Sequence, residues 1–403
     1  MYLEHLSLTN FRNYVRLDLE FPPGIVLLQG GNAQGKTNLL EAICYLAAAR
    51  SPRAEADREL INWLASQEDI PFARLDARIR KAEGSQRIEI ALIEDSTRGL
   101  RKRIRINGVD KRPLELLGQM NVVFFAPQDV KLVAGPPSER RRYLNEILCQ
   151  IEARYHRSLR RYNHLLSQRN HLLKSLGERG GDQSRLLFWD RKLAEEGAFI
   201  MACRQRLVAE LGELAYPIHL ELTGGREHLR LRYEPSFDPL SRPLAEHKLD
   251  RRPELSPPLD IPLTVEEIAA AFQKHLQRTR RLEIQQGMTL IGPQRDELRF
   301  LIGGVDMNVF GSRGQQRTIA LALKLAEVKL LRSKTGEWPI LLLDEAMAEL
   351  DEARRRYLME TIEGVEQAIL TTTDWGDYGA DFLGRATLWQ VHEGKVRTMV
   401  KSP

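Results

Sequence analysis

The chain has 403 residues, a formal net charge of +5, 42% hydrophobic and 29% charged residues, a globular balance that excludes collagen-like, disordered and disulfide-scaffold classes. At about 150 residues per domain, two or three domains are expected. No apolar run approaches the roughly 18 residues of a spanning helix. The first residues include Glu4, His5, Asn10 and Arg12 and lack the apolar stretch of a signal peptide, so a soluble, cytoplasmic protein with no membrane partner is expected.

Residues 1–130 mix short β-like runs with Gly-bounded turns. Segment 24–29 (GIVLLQ) reads as a buried strand and 105–109 (RINGV) as an Asn-Gly hairpin. From Leu144, apolar or aromatic positions fall at Leu148, Ile151, Tyr155, Leu159, Tyr162, Leu166, Leu173 and Leu176, broken only at Arg169. That spacing predicts one long amphipathic helix. Residues 177–184, with Gly180 and Gly181, supply a turn, and Trp189, Leu193, Gly197, Ile200, Leu207 and Leu211 keep a similar rhythm, so an antiparallel helical hairpin is expected. Seven prolines between 235 and 262 predict a loop or exposed connection, and a helix resumes at Thr264. The last third returns to α/β character: an apolar segment at 288–291, a turn at Gly303 and Gly304, a helix from Gly314 to about Leu331, and a strand over 339–343. Cys44, Cys149 and Cys203 have no paired spacing and read as packing residues.

Gly30, Gly31, Asn32, Ala33, Gln34, Gly35, Lys36 and Thr37 fit G-x-x-x-x-G-K-[ST] between a strand and a helix. In that pattern backbone N–H groups wrap phosphates, the lysine reaches the β and γ groups, and the Thr hydroxyl ligates Mg²⁺. The helix N-terminus adds its own attraction for the anion. Three hundred residues later the apolar run 340–343 ends in Asp344 and Glu345. Such a strand suits delivery of Asp344 to Mg²⁺ and of Glu345 to an attacking water as general base.

Ser312, Gly314, Gln315 and Gln316 open an apolar-periodic helix. Ser312 can cap that helix or help cradle a second anion, and both readings stand. A phosphate loop with a separate cradle suggests a composite site in which one protomer closes over the nucleotide of another, so that ATP holds a dimer together. From 139 to 174 nine Arg or Lys face three Glu. Arg140, Arg141, Arg142, Arg154, Arg157, Arg160, Arg161 and Arg169 could neutralise DNA phosphates without reading sequence, or could be a partner surface or a solvated helix face. Arg101, Lys102, Arg103 and Arg105 are a second candidate patch.

Segments 8–14 (LTNFRNY), 35–41 (GKTNLLE), 289–293 (TLIGP) with Arg295 and Asp296, 312–317 (SRGQQR), and Asp344 and Glu345 with Glu349, Leu350 and Asp351 resemble the RecF family over essentially the whole chain. This is a bacterial family of recombination-mediator ATPases with heads of the ABC and SMC type. The resemblance implies an α/β fold: an ABC-type P-loop ATPase head, a mixed sheet with flanking helices, plus an inserted α-helical lobe with a short antiparallel hairpin. The corresponding division is 1–135, 136–285 and 286–403. It makes 30–37 the Walker A loop, Ser312 to Gln316 the signature acting in trans, Asp344 and Glu345 the Walker B pair, and Asp351 part of a D-loop. Gln128 stands where such a head places its γ-phosphate-sensing Gln beside the metal, although the family leads one to expect an acidic residue in that loop, and the alternative is a plain loop residue.

Departures from the family pattern are Ala33 for Gly, Gln294 for His, Arg313 within the signature, Ala348 for Ser, and Thr372 and Thr373 where many ABC proteins carry a switch His. The implied activity is a weak, DNA-stimulated ATPase using ATP and Mg²⁺. It would dimerise on single-stranded or gapped duplex DNA and act with RecR and RecO in RecA loading, gap repair and SOS induction. The alternatives are another SMC-like DNA-binding ATPase, a transporter nucleotide-binding subunit, and a scaffold that binds ATP but scarcely hydrolyses it. The basic hairpin weighs against the transporter, and Glu345 against the scaffold.

Overall fold

The computed structural model describes residues 1–67, 70–95, 99–240, 263–347 and 350–399. The chain divides into two compact units, Met1–Asp129 with Leu321–Pro403, and Val130–Ala320.

The first unit holds two six-stranded sheets. One is antiparallel, in the order Tyr14–Glu20, Tyr2–Phe11, Phe72–Lys81, Gly84–Asp95, Gly99–Ile106, Val109–Lys111. Its last hairpin turns at Asn107 and Gly108, with φ of 50° and 79°, the left-handed pair that an Asn-Gly turn supplies. The other runs Lys395–Thr398, Thr387–His392, Gly24–Gln29, Gln367–Thr372, Ile340–Asp344, Val122–Phe125, and all but its first strand are parallel. The helix Lys36–Ala48 packs against both sheets. Leu39, Leu40 and Ile43 share a core with Leu6, Leu8 and Leu75 of the antiparallel sheet and with Val26, Leu28 and Leu342 of the parallel one. A helix covered on both sides keeps no polar stripe, which explains its near-continuous apolar sequence. The α/β class and the mixed sheet match the sequence reading.

In the second unit the expected single helix from Leu144 is two, Pro137–Ile151 and Ala153–Arg179. Glu152 leaves helical geometry (φ −136°, ψ 95°) and its carboxylate caps the second helix by accepting from the Arg154 N–H at 3.2 Å. The apolar rhythm continues across the break because both helices face the same core. Ala153–Arg179 and Leu186–Leu222 form the hairpin, antiparallel as Arg161 with Glu196 and Arg169 with Asp190 require. Val265–Gln286 packs beside them, opened by a reciprocal cap between Thr264 and Glu267. Most of the Pro-rich connection, 241–262, lies outside the described residues.

Segment 288–291 is not a strand. Thr289 and Leu290 spend their backbone N–H groups on the side chains of Asn170 and Glu283. The sequence division also differs from the units: 286–320 groups with the helical unit, because Glu297–Ile302 pairs with Leu229–Glu234 in a three-stranded sheet.

Arg169 explains its interruption of the apolar stripe. It is fully buried and donates to Asp190 (2.8 Å), Thr289 (2.7 Å) and Glu283 (2.6 Å), tying the hairpin to Val265–Gln286 and to the loop after it. Truncating one member of a buried ionic group leaves the others unpaired. Arg169→Ala is therefore expected to cost about 3–5 kcal/mol in denaturant unfolding followed by circular dichroism. A loss below about 1 kcal/mol would mean that water or Arg280 takes its place.

Candidate nucleotide site

The parallel sheet sets the geometry of the site. Leu28, Thr371 and Asp344 lie in one lateral row on neighbouring strands, so the end of the Gly24–Gln29 strand and the end of the Ile340–Asp344 strand face the same edge with one strand between them. Residues 30–35 bridge that strand to the helix Lys36–Ala48. Gly35 takes φ 118°, and a Cβ there would lie 2.6 Å from the Asn13 amide. Ala33, where the family pattern has Gly, takes φ 63° and accepts the left-handed geometry a glycine would hold at no cost.

The loop is clamped from two sides. The Asn13 side chain donates to the Gln34 carbonyl (3.0 Å) and the Tyr14 hydroxyl to the Gly35 carbonyl (2.9 Å). Across the loop the Gly394 N–H reaches the Gln34 carbonyl (3.1 Å) and the Glu393 N–H the Gln34 side chain (2.7 Å). Arg12 makes a two-pronged bond to the buried Glu41 of the following helix (2.8 and 2.9 Å), and Ser51 adds a third donor to that carboxylate. Segment 8–14 of the family pattern is thus a brace for the phosphate loop. Composition alone gives no sign of it, and only the resemblance pointed there.

Lys36 is buried with its ammonium shared among the Gly30 carbonyl (2.5 Å), the Gly31 carbonyl (3.1 Å) and Glu345 (3.3 Å). Thr37 donates to Asp344 at 2.8 Å, and Thr371 donates to the same carboxylate at 3.0 Å. Burial raises the Asp344 pKa above the usual carboxylate range, and the Thr37 and Thr371 hydroxyls pull it back. Glu345 stands in left-handed geometry (φ 50°), its N–H bonded to the Thr371 hydroxyl at 2.9 Å. The turn sends two adjacent carboxylates to different surroundings: Asp344 is 7% exposed and the Glu345 side chain 38%. Thr371 is a site residue that the sequence reading missed, because nothing in a buried strand marks one Thr as the partner of a distant Asp.

Gln128 is exposed in a short turn that follows Val122–Phe125, the strand paired beside Ile340–Asp344, and so lies past the same sheet edge. Asp351 caps Glu352–Glu363, accepting from the Arg354 N–H at 3.0 Å. Ala348 and Glu349 lie outside the described residues. Thr372 bonds the Asp374 carbonyl and the Asp377 side chain. In the helical unit Ser312 and Gln315 cap each other reciprocally (3.0 and 3.3 Å) at the start of Arg313–Thr335 while Ser312 and Gly314 remain exposed. Gln316 is buried and donates to the Met307 carbonyl, and Gln294 is taken up by Tyr162 and the Ile291 carbonyl.

Thr37 and Asp344 offer only hard oxygen donors, the set Mg²⁺ takes together with phosphate oxygens and water. The described residues contain no cluster of three or more His, Cys, Asp or Glu that could hold a metal unaided.

The basic segment separates into kinds that the sequence does not distinguish. Arg140 is buried and grips Glu297 with two bonds (2.6 and 2.8 Å) and the Gly135 carbonyl with a third. With Arg169 it leaves the set of surface cations, since neither guanidinium reaches solvent. Arg141 is half-buried on the Asp296 carbonyl, and Arg142 is paired with Glu139 and Glu146. Arg157, Arg160 and Arg161 are exposed on one helix. In the second patch, Lys102 is spent on Asp57 and the Ala49 carbonyl, and Arg103 and Arg105 share Asp110.

Gly35→Ala must hold a left-handed backbone and push aside Asn13. It is expected to lower stability by about 1–3 kcal/mol in urea unfolding, and an unchanged midpoint would mean that the loop relaxes freely.

Residues 2–377 match the family described as RecF/RecN/SMC N terminal domain. The chain is 43% identical to the DNA replication and repair protein RecF of Roseiflexus castenholzii, over 98% of this chain and 99% of that one, and 36% identical to that of Bacillus subtilis at the same coverage. A solved structure of the recombination mediator protein RecF with ATP, in the RecFOR pathway, superposes with a TM-score of 0.84 at 33% identity, covering 99% of this chain and 98% of that one. An SMC head bound to a winged-helix domain of ScpA shares the fold at 16% identity and TM-score 0.52. With a P-loop braced on an ABC-type head and relatives matching from end to end, the chain belongs to the RecF family.

Proposed function

We propose that the chain is an ATP-dependent DNA-binding protein of replication and repair. One observation carries the reading: residues three hundred positions apart, Lys36 and Thr37 with Asp344 and Glu345, converge within hydrogen-bond distance at the edge of the parallel sheet. The ATP carried by the solved RecF relative supports the choice of nucleotide.

On this reading the N–H groups of residues 30–37 wrap the phosphates and Lys36 moves from its loop carbonyls to the β and γ oxygens. Thr37 and Asp344 would hold Mg²⁺, which would neutralise charge across the transferring phosphoryl group. A γ-phosphate competing for Lys36 frees Glu345, which then takes a proton from the attacking water, with Gln128 orienting that water from the neighbouring strand end. Ser312 and the N–H groups of its helix approach the nucleotide of a second copy, so ATP favours a homodimer. Hydrolysis is slow, stimulated by DNA, and regulatory, since it lets the dimer open. The exposed Arg157, Arg160 and Arg161 contact the backbone of single-stranded or gapped duplex DNA. RecR, RecO and RecA are the partners this assigns, in RecA loading and SOS induction, in the cytoplasm. Among the described residues no helix is long and apolar enough to cross a membrane.

Lys36→Met should abolish binding of a fluorescent ATP analogue. Glu345→Gln should bind it normally while phosphate release falls by about 10²–10⁴, and unchanged release would remove Glu345 as the base. DNA affinity measured against salt should lose about 0.9 of log-log slope per phosphate-contacting arginine in the Arg157→Ala, Arg160→Ala, Arg161→Ala triple variant. A slope equal to the parent's would move the DNA contact elsewhere.

A further inference from the structure

Within the helical unit, the guanidiniums of Arg140, Arg204 and Arg295 and the carboxylates of Asp296 and Glu297 gather around Arg141, near the start of the helix Pro137–Ile151. Two of the four arginines are matched by the two acids. Arg140 takes Glu297 with two bonds. The buried Arg204 lies 3.7 Å from Asp296 and donates to the Pro293 carbonyl (2.6 Å), the Tyr155 hydroxyl (3.1 Å) and the Asn145 side chain (2.9 Å). No acid is left for Arg141 and Arg295, and among the described residues neither forms an ion pair.

The surplus charge is poorly solvated. Arg141 is half-buried, and its guanidinium has one bond, to the Asp296 carbonyl at 3.0 Å. Burial, and after it the neighbouring Arg204, push that guanidinium below its ordinary pKa; Glu297 and Asp296 offset this only in part, and Arg295 opposes the charge as well. A cation held half out of water against like charges gains more from an arriving anion than a freely solvated arginine does.

Arg295 is exposed but stands on a fixed turn. Its N–H bonds the Gly292 carbonyl at 2.8 Å, and the Gly292 N–H bonds the Ser236 hydroxyl at 2.7 Å. A side chain at Gly292 would run into Tyr162 and Phe272. The Arg295 guanidinium rests on the Met288 sulfur at 3.3 Å, a weak acceptor that leaves its donors open. Because Arg141 bonds the carbonyl of Asp296, the residue after Arg295, both guanidiniums are tied to one stretch of backbone, and the nucleotide chemistry proposed above uses neither.

We propose that Arg141 and Arg295 form an oxyanion subsite that takes a phosphate group. Guanidinium forks pair with phosphate oxygens two at a time, and a phosphate group carries enough charge and acceptors to answer two unmatched arginines at once. The phosphate can belong to a nucleic-acid backbone or to a small molecule. The subsite lies wholly in the helical unit and requires no second copy of the chain.

The test uses full-length Lys36→Met protein, so that the phosphate loop does not dominate, titrated with sodium phosphate against sodium chloride of equal ionic strength. Phosphate should raise the thermal unfolding midpoint and broaden the phosphorus NMR line. Adding Arg295→Gln, at an exposed position, should weaken phosphate binding about tenfold with the midpoint in chloride unchanged, and Arg141→Gln should do the same to binding. The source is read with a short DNA duplex. A log-log salt slope lower by about 0.9 per arginine in the Arg141→Gln, Arg295→Gln double variant assigns the phosphate to nucleic acid. Weakened phosphate binding with an unchanged slope assigns it to a small molecule. If neither the phosphate response nor the salt slope differs between the double variant and its parent, the subsite is overturned.

Discussion

The buried carboxylate of Asp344 constrains everything around it. A strand whose four preceding residues are wholly interior ends in an acid that is nearly as buried, and an unpaired charge there would cost several kcal/mol. Two hydroxyls, from Thr37 and Thr371, meet it. Because Thr371 sits opposite Asp344 in the parallel ladder, the strand Gln367–Thr372 has to lie between the loop strand and the acidic strand. Because Thr37 is the second residue of its helix, the helix N-terminus has to stand over that same edge. Strand order, helix position and the site follow from how one acid is satisfied.

Two of the strained backbone positions lie at the same edge. Ala33 and Glu345 adopt left-handed geometry without being glycine, each at a cost on the order of 1 kcal/mol. The surroundings hold them there: Asn13, Tyr14, Glu393 and Gly394 fix the loop from outside, and Thr371 fixes the Glu345 N–H. What the strain achieves is a division of labour between adjacent acids, one screened and hydroxyl-bonded, the other turned outward toward Lys36.

Local chemistry was legible in the sequence, and depth was not. The 30–37 pattern, the Asn-Gly turn and the helix start at Thr264 announce themselves because each depends on residues within a few positions of one another. The basic segment looked uniform because a run of arginines carries no information about which guanidinium faces inward. Arg140 meets Glu297 at a separation of 157 residues and Arg169 meets Glu283 at 114, and no periodicity links such pairs. The 289–296 stretch carries the family resemblance, and the structure makes its Thr289 and Asp296 buried fasteners, bonded to Arg169 and Asn170 and to Tyr233 and Ser236. Glu152 was invisible for a different reason: a break that preserves the apolar face leaves the helical rhythm intact.

These fasteners tie the loop at 289–296 to the helical hairpin through Arg169 and Asn170 and to the strand Leu229–Glu234 through Tyr233. The most direct test is sedimentation velocity of the Glu345→Gln protein with a short gapped duplex, with and without ATP and Mg²⁺. A DNA-bound dimer that forms only with ATP, and is lost on Ser312→Arg, is the expected result. A monomer under every condition would contradict it and would leave Ser312 as no more than the cap of its own helix.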